Sequence, residues 1–218
     1  RALAQEGVCH FVFCGSTGLA RCLENPHSVF FNFPQAQPLG YLTPDIARMV
    51  LTQPLQTLGV ALEDEQTIVD GVLHLTSGHP NLVQYIGREL VNAANLRRER
   101  LILNDDLEQV QQSNSFTEFY LATIWGEAGP LEKLITLVAP REGFRVGDIE
   151  TALAGYGITV PNNDMDRALK LLCIYAILAK HDKTYTFVPA SFYDILHRTQ
   201  EVERLIANEQ ERLMEANA

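Results

Sequence analysis

The chain has 218 residues, 46% hydrophobic and 20% charged, an ordinary globular composition with enough apolar side chains for one large core or two small ones. Its formal net charge of −10 argues against broad contact with a nucleic-acid backbone. No apolar run approaches the ~20 residues of a membrane span and the N-terminus does not read as a signal peptide, so a cytoplasmic protein is expected.

Residues 1–128 carry 7 basic and 14 acidic side chains, residues 129–189 carry 7 and 7, and residues 190–218 carry 3 and 6. No segment is basic. Cys9, Cys14, Cys22 and Cys173 show no CxxC spacing and sit mostly in apolar runs. They read as reduced core residues, not as a disulfide frame or a zinc site.

VCHFVFCGS (8–16) is a continuous apolar run ending in Gly-Ser, the pattern of a strand buried on both faces of a parallel sheet. A short helix from about Thr17 to Leu23 follows, closed by Asn25-Pro26. SVFFNF (28–33) reads as a second such strand, giving a βαβ unit at the edge of a sheet.

After Pro34 and Pro38 the pattern turns helical. Thr43 is placed to cap a helix with its hydroxyl, with Pro44 at the first helical position and an end near Gly59. Residues 63–76 are helical again, then Gly78-His79-Pro80 interrupts, and Leu82, Val83, Ile86, Leu90 and Val91 mark the next helix. Asn104-Asp105 caps another, to about Gln112. Residues 41–128 therefore form a helical block.

From 129 to 190 the order is helix, a short extended piece at Phe144, helix, helix, and two strands around His181-Asp182-Lys183. That is the order of a winged helix-turn-helix. The third of these helices starts at Pro161-Asn162-Asn163-Asp164. Residues 191–218 show near-helical apolar spacing, read as a helix packing back on the winged module or, alternatively, as a connecting helix. Trp125 is expected to pack between the two helical regions.

The order and wording resemble the STAND class of P-loop ATPases, signal-transduction relatives of the AAA+ and origin-recognition ATPases. The resemblance rests on FVFCGS (11–16), ARMVLTQPLQTLGVAL (47–62), VLHLTSGHPNLVQYIGREL (72–90) and LLCIYAILAKHDKTYTFVP. It implies a mainly α chain: the edge of an α/β P-loop domain (1–40), a helical lid (41–128), a winged helix-turn-helix (129–190) and a C-terminal helix (191–218). It further implies that Gly78, His79 and Pro80 lie against the adenine and ribose of ATP or ADP. Ser16, with Thr17, would stand at the sensor-1 position near the γ-phosphate. The bland reading of Gly78-His79-Pro80 is a capping glycine followed by a helix-starting proline.

The sequence contains no GxxxxGK[ST] and no apolar strand ending in paired acids, so magnesium and hydrolysis would need a further portion of an ATPase. Asp105-Asp106 and Glu63-Asp64-Glu65 read as charge matched to helix starts. Some members of the class have a phosphate-contacting His after the wing; here the residues are Val188-Pro189-Ala190. The implied role is an ATP/ADP-dependent switch that engages an effector or partner domain, compatible with oligomers in the intact protein. An alternative is a DNA-binding regulator using Arg167 and Lys170 on the third helix and Lys180 and Lys183 at the wing. Asp164 and Asp166 on the same helix weigh against it. A third role is a protein-interaction scaffold.

Overall fold

Apolar residues spaced three and four apart produce eleven α-helices among the described residues. A computed structural model of the chain describes residues 11–198 and 201–216 except 16, 26, 32–34, 36 and 38, with backbone alone for Thr17 and Ala216. No helix among them is long and apolar enough to cross a membrane.

The two expected strands of the first segment do not form within the described residues. Residues 11–15 pair with no neighbour, and Phe11, Val12 and Phe13 are exposed. Residues 28–31 make a turn, with the Phe31 N–H donating to the Ser28 carbonyl at 3.1 Å. A strand buried on both faces needs ladders on both sides, and none is on offer here. The two runs meet instead through Phe13 and Phe30, edge to face at 5.1 Å. Cys14 and Cys22 are exposed rather than in a core, Cys173 is half-buried, and Cys9 lies outside the described residues.

Between these runs stands α1 (Thr17–Glu24). The helical block begins with α2 (Pro44–Leu58), which Gly59 closes at φ 65° through its N–H to Gln56 and Leu55. The Thr43 hydroxyl makes no capping bond. The start of α2 rests instead on Pro44 and on the Thr43 carbonyl, which accepts from the Ala47 N–H at 2.9 Å. Strand β1 (Ala61–Leu62), α3 (Glu65–Thr76), α4 (Pro80–Leu96), β2 (Leu101–Ile102), α5 (Asn104–Gln112) and α6 (Asn114–Ile124) follow. β1 and β2 pair in parallel, Ala61 opposite Leu101.

The acidic runs are absorbed by this framework. Asp64 caps α3 by accepting from the Thr67 N–H at 3.0 Å, and Glu63 accepts from the Asn104 N–H at 2.9 Å. Buried Asp106 holds the Arg97 guanidinium and accepts from the Leu103 N–H at 2.8 Å.

The second half contains α7 (Pro130–Val138), α8 (Val146–Gly155), α9 (Asn162–Ile174), β3 (Leu178–His181) and β4 (Thr184–Phe187). Helix α9 stops at Ile174, because Ala176 turns left-handed at φ 54° and Ile177 already leads into β3. β3 and β4 form an antiparallel hairpin, Leu178 opposite Phe187, turning at Asp182 with φ 54°, a conformation short polar side chains tolerate. Phe144 adds a third position to it by bridging Tyr185.

The tail forms two helices, α10 (Phe192–Arg198) and α11 (Val202–Ala216), and α11 lies against α7. Packing back is therefore what the tail does. Buried Glu209 of α11 faces Lys133 of α7 at 3.7 Å. Trp125, at the end of α6, is buried and donates from Nε1 to Thr136 Oγ1 of α7 at 2.8 Å. One continuous apolar core runs from Ala47 through Trp125 to Ile206.

Candidate nucleotide site at the helix bend

Helix α3 ends where Ser77 turns left-handed (φ 49°), its N–H donating to the Leu73 carbonyl. Gly78 follows at φ 81°, the conformation that glycine adopts without steric cost. Its carbonyl accepts from the Leu42 N–H at 2.9 Å. A Cβ on Gly78 would stand 2.5 Å from the Leu42 carbonyl oxygen. The close approach that glycine permits is thus made by the chain's own residues 41–42.

His79 is in extended conformation and Pro80 opens α4 at its first position. The missing proline N–H costs nothing there, and the N–H groups of the first turn have no carbonyl within the helix. The His79 ring is half-buried and meets Tyr41 edge to face at 5.2 Å. Burial lowers the imidazole below its ordinary value, so it is neutral at pH 7. Burial raises the Tyr41 phenol, helped by nearby Tyr120. Tyr41 Oη and His79 Nδ1 are both buried without a hydrogen-bond partner.

From the other side the bend is held by the segment after the hairpin. The Ala190 N–H donates to Ser77 Oγ at 3.1 Å, and buried Ser191 donates from Oγ to the Leu75 carbonyl at 2.7 Å. Tyr120 Oη lies 3.2 Å from the same Ser191 oxygen. The residues standing where some STAND proteins have a histidine therefore reach the bend by backbone and hydroxyl contacts. Tyr41, Tyr120 and Ser191 were not singled out in the sequence; the only local signal is a hydroxyl residue beside a proline-marked border (Thr43-Pro44, Pro189).

Ser16 and the Thr17 side chain lie outside the described residues. The cations proposed for DNA are dispersed. Arg167 pairs with Asp164 at 3.3 Å, and Lys170 reaches Glu24 of α1 at 2.8 Å. Lys180 sits over the Tyr185 ring, and only Lys183 lines a cavity, with Arg145, His181, Asp182 and Thr184. Helix α1 also sends Arg21 to buried Glu132 at 3.5 Å. The face of α9 that would meet a groove is thus partly taken by α1.

Among the described residues no group of three or more His, Cys, Asp or Glu is arranged to hold a metal. Asp106, Asp64 and Glu63 are committed to Arg97 and to backbone N–H groups, and do not fit a magnesium site. Burial raises the Cys173 thiol, which suits packing better than nucleophilic chemistry.

No family model matches the chain, and no curated protein matches it. Among solved structures its fold is similar to that of a Walker-type ATPase of Pyrococcus abyssi, with a TM-score of 0.53 and 16% identity. The match covers 80% of this chain and 48% of that one, so the chain spans about half the length of the ATPase it matches. At this identity the likeness is one of fold.

Proposed function

We propose that the chain is the nucleotide-sensing lid and winged-helix part of a STAND-type P-loop ATPase, acting as an ATP/ADP-dependent regulatory switch or scaffold. Residues 1–40 would belong to the P-loop domain, 41–128 to the lid, 129–190 to the winged helix and 191–218 to its closing helices. The observation that carries this reading is the fold likeness to a Walker-type ATPase over 80% of the chain. It is independent of the Gly78-His79-Pro80 motif.

In this reading His79 and Pro80 contact the base and ribose, and Gly78 makes the bend possible. Pro80 offers a rigid apolar face, and a neutral imidazole can approach a base without desolvating a charge. The Ser191–Leu75 and Ala190–Ser77 bonds then give a physical route from bend to hairpin. A nucleotide that favours one arrangement of the bend shifts the population of the whole unit, and a partner domain reads that shift. Phosphate chemistry and magnesium fall to a P-loop outside this sequence.

The test is calorimetric titration of ATP and ADP into the protein in its full natural length. His79→Ala and Pro80→Ala are each expected to weaken binding about tenfold, near 1.4 kcal/mol. Unchanged affinity in both variants would sink the reading.

A further inference from the structure

More than nine in ten buried polar groups find a hydrogen-bond partner, so an orphan calls for an account. Two orphans sit on touching rings: the hydroxyl of Tyr41 and Nδ1 of His79, with centroids 5.2 Å apart. The other two among the described residues, Asn104 Oδ1 and Tyr175 Oη, belong to separate places, the starts and ends of α5 and α9.

The ring pair is pinned from below. Leu42 N–H donates to the Gly78 carbonyl, which places Tyr41 and His79 side by side whatever their side chains do. On the outer side Leu39, Gly40 and Thr43 are exposed, so the seam between residue 41 and the bend opens toward solvent there. A hydroxyl both donates and accepts. A neutral imidazole nitrogen does one or the other by tautomer. Two such atoms side by side complement a base edge that carries an amino group next to a ring nitrogen, which is the edge adenine presents.

We propose that Tyr41 and His79 together read the adenine of a bound nucleotide, taking its exocyclic amino group and the neighbouring ring nitrogen. The assignment rests on the nucleotide reading of the bend and adds to it a residue, Tyr41, and a base. The base reaches the two atoms when the Tyr41 ring rotates off His79. That movement gives up one edge-to-face contact, leaves the Leu42–Gly78 bond intact and supplies both orphans with partners.

The test compares ATP with purine riboside triphosphate, which lacks the amino group, on the protein in its full natural length. The wild type is expected to bind ATP at least fivefold more tightly than the analogue, and Tyr41→Phe to reduce that ratio to about one. Tyr41→Phe should also leave the melting temperature of the nucleotide-free protein unchanged or higher, since it removes an unsatisfied group. An unchanged ratio in Tyr41→Phe overturns the proposal, as does a fall in melting temperature, which would reveal a structural partner for the hydroxyl. Pro80→Ala separates the two levels. If it weakens ATP while Tyr41→Phe alters nothing, the bend still binds nucleotide and Tyr41 does not read it. If the wild type binds neither nucleotide, both readings fall.

Discussion

Gly78 shows how a residue can carry a motif for reasons internal to the fold. Its φ of 81° and the Leu42 carbonyl 2.5 Å from a would-be Cβ both exclude a side chain. Gly78→Ala is expected to cost about 1–3 kcal/mol in urea unfolding, because strain and clash act together. A loss of ATP affinity in that variant would therefore report on folding as well as on binding, and His79 and Pro80 are the cleaner probes. For His79 the sign of the pH effect follows from its burial. The folded-state pKa is depressed, so between that value and the unfolded value of about 6.5 the unfolded chain binds the extra proton. Stability from this group is complete above about 6.5 and is lost as pH falls through the window. His79→Asn should flatten the slope of unfolding free energy between pH 7.5 and 5 relative to wild type, and an identical slope would contradict the buried, neutral imidazole.

Elements were legible where their punctuation was local. Pro44, Gly59, Pro80 and the Asp182 turn each act within a few residues, and the helices and hairpin they bound stand where the spacing puts them. The capping role expected of Thr43 did not materialise, and Asp64 performed it for α3 instead. The first two strands failed for a different reason: a strand is completed by its neighbours, and apolar sequence alone cannot supply a ladder. Contacts between elements were equally invisible. Ser191 joins the segment after the hairpin to Leu75 and Tyr120, residues 116 and 71 positions away. Ser191→Ala leaves a buried carbonyl and a buried phenol short of a partner, with an expected loss of about 1–3 kcal/mol by chemical denaturation. Faster hydrogen exchange at residues 75–79 in that variant would place the loss at the bend; exchange unchanged there would show that the hairpin segment does not hold it.

At the scale of the molecule, one core passes through both halves, so the lid-like and hairpin-bearing parts are joined by packing rather than by a linker. Helix α1 adds to this by binding the second half through Arg21–Glu132 and Glu24–Lys170. Charge tells the same story for partners. With a net charge of −10, with Arg167 and Lys170 paired to acids, the protein is expected to give no shifted band with duplex DNA at physiological salt. A clear shift that Lys170→Glu abolishes would restore the DNA reading.

The amino-acid sequence by itself determined the helical class, most element borders and the candidate bend, since periodicity, proline and glycine act over a few residues whatever surrounds them. Tertiary structure alone decided that Leu42 fills the space beside Gly78, that Tyr41 and His79 share a seam, and that residues 190–191 clasp the bend. Those are meetings of segments tens to more than a hundred residues apart, brought about by burial of a common core, and no local pattern encodes which side chains will face each other there.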